Sequence, residues 1–113
     1  MHEISIVDSI INIIMAEMPK HNLAKIESIK LRIGEMRRVV PDTLLFAFDV
    51  LSRDTPLEGA KLIIESLPIR GRCKSCLQDF PIENWGGKCI RCGKNDIEII
   101  SGKELDIVEL EGS

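Results

Sequence analysis

Cys73-Lys-Ser-Cys76 and Cys89-Ile-Arg-Cys92 are two Cys-x-x-Cys pairs with twelve residues between them. One pair can give two thiolates to one side of an ion, and a chain reversal brings the second pair to the other side. That spacing points to a four-sulfur tetrahedral metal site. Gly93 follows the second pair, where a tight turn can present backbone N–H groups to the sulfurs without a Cβ clash. An all-thiolate set favours zinc or iron over hard cations, and the spacing does not choose between those two. With four protein ligands no position is left for water, so the site reads as structural.

Two disulfides are the competing use of these cysteines, and they need an oxidising compartment. Residues 1–19 carry Glu3, Asp8 and Glu17 and no basic stretch before the apolar run, which is not the pattern of a signal peptide. A thioredoxin-type redox pair needs one Cys-x-x-Cys at a helix start. The reading is therefore a reduced, cytoplasmic protein with a structural four-sulfur site, for which Zn(II) is favoured over iron.

Working outward, the segment around the cysteines is basic. Residues 69–94 hold six basic side chains against two acidic ones, a formal +4, which leaves −7 for the rest of a chain whose total is −3. The chain of 113 residues is 44% hydrophobic and 29% charged, within the globular range. No apolar run reaches the ~18 residues needed to span a bilayer, so no membrane partner is expected.

The remaining segments alternate between helical and strand periods. Val7, Ile10, Ile11, Ile14 and Met18 share one face of a helix over 5–18. Ser5-x-x-Asp8 reads as its cap, Ile6 and Ile13 as widening the buried face, and Pro19 as its stop. Ile29, Leu31 and Ile33 alternate with polar residues in a strand over 25–33 that ends at Gly34-Glu35. Pro41 and Asp42 open a second helix lined by Leu44, Leu45, Phe48 and Leu51, reaching about residue 53. Residues 54–59 read as loop. Strands follow over 60–67, 97–100 and 104–110. The expected fold is α+β: two helices on a small mixed sheet, formed by 1–68 plus 101–113, with a zinc-ribbon-like four-cysteine module inserted at 69–100. A module of that size needs its ion to hold together.

Met1-His2-Glu3 is a second candidate site. At position two a histidine forms a chelate with the chain's own α-amine. The amine and the His2 amide nitrogen close a five-membered ring, and the amide and Nδ1 close a six-membered one. With the amide deprotonated, such a nitrogen set suits square-planar Ni(II) or Cu(II). Water, the Glu3 carboxylate or an outside group must take the fourth place. If the amide keeps its proton, a six-coordinate site with oxygen ligands competes. The simpler reading of Glu3 is an acid at a helix N-terminus, and that of His21 a solvated residue at a helix end.

Met1-His2-Glu3-Ile4-Ser5, Ile33-Gly34-Glu35 and the two cysteine pairs together resemble the HypA (HybF) family of hydrogenase-maturation nickel chaperones, along essentially the whole chain. The resemblance implies an α/β nickel domain with an inserted zinc domain. It assigns Met1, His2 and Glu3 to nickel, and Cys73, Cys76, Cys89 and Cys92 to structural zinc. It implies a metallochaperone, not an enzyme, that carries Ni(II) as cargo to the large-subunit precursor of a nickel–iron hydrogenase alongside a nickel-handling GTPase. Some relatives carry a zinc-module histidine able to approach the nickel, whereas the histidines here are His2 and His21. A homodimer and service to urease stay open.

The alternative is a zinc-ribbon nucleic-acid-binding or protein-interaction module, with Phe80 and Trp85 stacking on bases. Zn²⁺ with four thiolates adds −2 to the segment's +4, which leaves a weak footprint for a polyanion beside an acidic remainder. Phe80 and Trp85 read better as a small apolar core, and no nucleic-acid partner is expected. No Walker-A loop, G-x-S-x-G or open H-E-x-x-H site is present in the sequence.

Overall fold

The computed structural model describes residues 2–82 and 87–113. Its elements run α1 (His2–Glu17), a 3₁₀ turn (Met18–His21), β1 (Ile26–Gly34), a second 3₁₀ turn (Glu35–Arg37), α2 (Pro41–Leu51), β2 (Lys61–Leu67), β3 (Arg70–Cys73), β4 (Asp79–Pro81), β5 (Ile97–Ser101) and β6 (Leu105–Gly112). The chain divides into two compact units. One takes Met1–Arg32, Val39–Glu65 and Asp106–Ser113, and the other Ile33–Arg38 and Ser66–Leu105.

In the first unit the expected face of α1 is the buried one. Val7, Ile10, Ile11, Ile14 and Met18 are all buried, each burial worth about 1.5–3 kcal/mol. Three details of the helix differ from expectation. It begins at His2, so Ser5 lies inside the first turns and is not the cap. Ile13 is 54% exposed and Ile6 only partly covered, so α1 buries a single stripe. The helix closes at Glu17, with Pro19 in the following 3₁₀ turn.

The first sheet has the order β2-β1-β6. Lys25 and Ser113 exchange both backbone hydrogen bonds, at 3.0 and 2.9 Å, the signature of an antiparallel pair at the β1–β6 end. Beside β1 on the other side, contacts advance in the same direction. Ile26 N–H donates to the Pro56 carbonyl at 3.0 Å, and Lys30 and Arg32 reach Glu65. β2 therefore runs parallel to β1 through the α2 crossover, and the sheet is mixed. Ile29, Leu31 and Ile33 of β1 are buried, as the alternation requires, and Ile26 is buried out of phase with them.

α2 presents Leu44, Ala47 and Phe48 to the core. Leu45 and Leu51, expected on that face, are 40% and 37% exposed, because the stripe turns through Ala47 and the helix stops at Leu51. Leu57, in the segment expected as loop, is wholly buried, and Thr55 hydrogen-bonds the turn around it.

The second unit holds an antiparallel sheet in the order β4-β3-β5. Residues 33–38 belong to it through a close backbone crossing. Gly34 N–H donates to the Glu104 carbonyl and Met36 N–H to the Gly102 carbonyl, both at 2.8 Å. A Cβ on Gly34 would fall 2.0 Å from the Gly102 carbonyl carbon, so only glycine fits there.

Candidate metal centre

The two cysteine pairs fold into matching knuckles. Cys73 closes β3, and its N–H donates to the Gln78 carbonyl at 3.0 Å while its carbonyl accepts from Leu77 N–H at 2.8 Å. Cys89 repeats the pattern, donating to the Lys94 carbonyl at 2.7 Å and accepting from Gly93 N–H at 3.0 Å. Each loop needs a left-handed residue four places after its first cysteine. Gly93 supplies φ +76° and Leu77 supplies φ +62°. Inside the second knuckle the Arg91 and Cys92 N–H groups point at the Cys89 sulfur, at 3.3 and 3.4 Å.

All four sulfurs lie within 4.8 Å of one another, with Cys73–Cys92 at 3.5 Å and Cys76–Cys89 at 3.7 Å. A tetrahedron with Zn–S of about 2.3 Å has sulfur–sulfur edges of about 3.8 Å, so the donor set fits zinc. The four are free cysteines and not disulfides. Cys73 and Cys89 are buried with Phe80, against Ile82 and Ile97, while Cys76 and Cys92 face outward. Phe80 therefore belongs to the module's small core, as expected. Trp85, the second aromatic of that expectation, lies outside the described residues.

Without a metal, the knuckle N–H groups favour negative charge on the first sulfur of each pair. The Cys92 N–H, then that of Arg91, draws Cys89 down to about 6 against the cost of burial. Cys73 is lowered too, chiefly by the Cys76 N–H. For Cys76 the Gln78 N–H pulls downward, but burial and the three neighbouring sulfurs outweigh it and push the thiol up to about 11. The four thiols cannot all ionise at neutral pH without a cation among them. Arg72 clasps Asp79 across β3 and β4 at 2.6 and 3.1 Å, and this hydrogen bond holds the Asp79 carboxyl below its ordinary range. Arg91 donates to Gln78 at 2.8 Å and ties the two knuckles together.

In the first unit, the structure brings His2 and Glu3 together, and Met1 lies outside the described residues. The His2 ring is half exposed, and its Nε2 sits 3.2 Å from Glu3 Oε2. A proton on Nε2 shared with that carboxylate leaves Nδ1 with its lone pair free. Glu3 itself is buried, and the same oxygen accepts a hydrogen bond from Val40 N–H at 3.3 Å. Nothing in the sequence signals that contact, because its partner is 37 residues away. His21 is exposed beside Glu17 at 3.7 Å, the surface position expected of it.

A closed four-thiolate centre on a small antiparallel sheet, joined in one chain to an α/β unit, defines a two-unit metal-binding protein. The family model described as "Hydrogenase/urease nickel incorporation, metallochaperone, hypA" matches residues 1–112, and the chain belongs to the HypA family. It is 40% identical over 111 residues to the hydrogenase maturation factor HypA of Geobacter metallireducens, covering 98% of each chain. It is 37% identical over 112 residues to that of Desulfosudis oleivorans, covering 98% of this chain and 97% of the relative. Among solved structures, it resembles the solution structure of a HypA protein with a TM-score of 0.77 and 27% identity, over 100% of this chain and 97% of the other. The solution structure of the nickel metallochaperone HypA from Helicobacter pylori gives a TM-score of 0.70 at 26% identity, over 97% and 96%.

Proposed function

We propose that this chain is a nickel metallochaperone that binds Ni(II) at its N-terminus and delivers it during maturation of nickel–iron hydrogenase. The family supports the pathway, and one observation supports the site. Glu3 engages Nε2 of His2, which leaves Nδ1, the nitrogen of the six-membered chelate, available. Met1 would contribute its α-amine, His2 its amide and Nδ1, and Glu3 the carboxylate that orients the ring. A chain terminus suits transfer, because it can open without unfolding a core.

Cys73, Cys76, Cys89 and Cys92 would hold zinc and supply the folding energy of their module. In functional terms the nickel-binding domain is 1–68 plus 101–113, and the zinc module is 69–100. The chemistry is binding and transfer and not catalysis. The partners are a nickel-handling GTPase and the hydrogenase large-subunit precursor, and the setting is the cytoplasm. No helix among the described residues is long and apolar enough to cross a membrane.

The test is complementation of a host that lacks its own factor of this family. Wild-type chain restores nickel to the hydrogenase large subunit, and His2→Ala does not. Equal restoration by both would overturn the N-terminal site, and restoration by neither would overturn the delivery role.

A further inference from the structure

The most exposed large apolar residues among those described are Ile90 at 77%, Leu77 at 73% and Phe46 at 70%, and the three fall on two surfaces. Leu77 and Ile90 belong to the cysteine knuckles. Leu77 follows Cys76 and Ile90 follows Cys89, whose sulfurs are 3.7 Å apart, so both flank one edge of the metal centre. The two knuckles share one backbone pattern, and each is a control for the other. At the positions that match Leu77 and Ile90 they carry Gly93 and Lys74. The turn therefore needs an aliphatic side chain at neither place. Leu77 holds one at φ +62°, in the left-handed region where Gly93 meets no Cβ penalty. Folding does not account for a strained leucine whose side chain lies in solvent, and an outlier of this kind points to binding.

Phe46 stands at the other surface. A groove of about 190 Å³ runs between Ile4 of α1 and Phe46, Ala47, Val50 and Leu51 of α2. Cavities of about 150 Å³ hold benzene, so the groove has room for an aliphatic side chain. The two surfaces have opposite rims. Lys88 and Arg91 flank Cys89-Ile90, and among the described residues neither is ion-paired; Arg91 donates to the neutral amide of Gln78. Among the described residues no lysine or arginine lines the groove. Asp42 and Asp49 lie one turn to either side of Phe46, and Asp8 one turn beyond Ile4. Asp49 is engaged by Arg53 at 3.2 Å. Asp8 meets the neutral amide of Asn12 at 3.5 Å, and Asp42 has no ion pair among the described residues.

We propose that these surfaces are the two halves of one contact between copies of this chain. Leu77 and Ile90 of one copy seat in the α1–α2 groove of a second copy, with Lys88 and Arg91 set against Asp8 and Asp42. Each surface disfavours its own kind, since knuckle on knuckle opposes cations and groove on groove opposes acids. Because the two halves differ, the contact either closes reciprocally into a dimer or propagates from copy to copy. The proposal rests on the knuckle edge and the groove and not on the nickel site, so its test contains no nickel.

The probe is the zinc-loaded full chain itself, in sedimentation equilibrium from micromolar to millimolar concentration. Its mass should rise with concentration and fall with added salt. The double variant Leu77→Gly/Ile90→Lys gives one knuckle edge the residues that the matching positions already carry, and Phe46→Ser changes an exposed side chain. Both should keep their fold and zinc, checked by amide spectra and metal content. Each should associate roughly tenfold more weakly than wild type. Mixed, the two variants should associate more tightly than either alone, because one keeps the groove and the other the knuckle edge. A wild-type chain that stays monomeric over the whole range would overturn the proposal. So would unchanged association in either variant, or a mixture no tighter than its components.

Discussion

The carboxylate of Glu3 accepts a hydrogen bond from the backbone N–H of Val40 at 3.3 Å, and so ties the first turn of α1 to the start of α2. Val40 is the N-cap of α2 and makes no side-chain cap of its own. A residue of one helix therefore caps another while touching the His2 ring. Glu3→Ala removes that acceptor and should lower stability by about 1 kcal/mol, the usual cost of a lost cap. Glu3→Gln keeps a carbonyl acceptor and should cost less. Denaturant melts of the two variants measure the difference, and equal loss in both would contradict the capping role.

The Gly34–Gly102 crossing leaves no room for a side chain. Gly34→Ala should destabilise by at least the ~1–3 kcal/mol of an overpacked interior. The damage should concentrate on the bonds from Gly34 and Met36 to Glu104 and Gly102. Hydrogen exchange at those amides, read beside a thermal melt, checks it. Native exchange and melting in the variant would show that the crossing is looser than described.

Much of this architecture is legible in the sequence, because metal ligands and helical faces repeat at fixed spacings. The cysteine pairs give the centre outright, and Val7 to Met18 give the buried face of α1. What escapes is set by contacts distant in sequence or by backbone geometry. Glu3 reads as an ordinary N-terminal acid, because Val40 is remote from it. Ser5 resembles a cap, although the helix starts three residues earlier. Gly93 announces its left-handed turn, whereas Leu77 adopts the same conformation with nothing in its side chain to signal it. Leu45 looks like a core residue until the buried stripe runs through Leu44, Ala47 and Phe48 instead, and Leu51 does so until the helix ends at it.

Removing one zinc ligand should unfold the module and leave the helices. Cys73→Ser or Cys89→Ser takes a thiolate from a centre that packs, among the described residues, against Phe80, Ile82 and Ile97. Bound zinc should fall and the resonances of β3–β5 should collapse, while α1 and α2 keep theirs. Full zinc content with native module shifts would contradict the four-sulfur centre.

Zinc affinity should fall as pH falls. Zinc binds thiolates, so protons compete with it. A module that unfolds without its ion offers thiols near their ordinary pKa of ~8.5, so binding at neutral pH displaces close to four protons. Competition titrations against a chelator from about pH 8 down to about pH 6 measure the slope, and an affinity that does not change with pH would contradict thiolate ligation.

Nickel binding at Met1, His2 and Glu3 is the centre of the proposed function. Calorimetric titration of Ni(II) into untagged wild-type chain, His2→Ala and a version with one residue added ahead of Met1 tests it most directly. Coordination needs the unprotonated amine, so wild-type affinity should also drop as pH falls through the ~7.7–8.0 range where free α-amines titrate. His2→Ala should abolish binding with fold and zinc intact, and the extension should nearly do so by moving the amine out of chelate reach. Unchanged nickel affinity in both would put the site elsewhere on the chain.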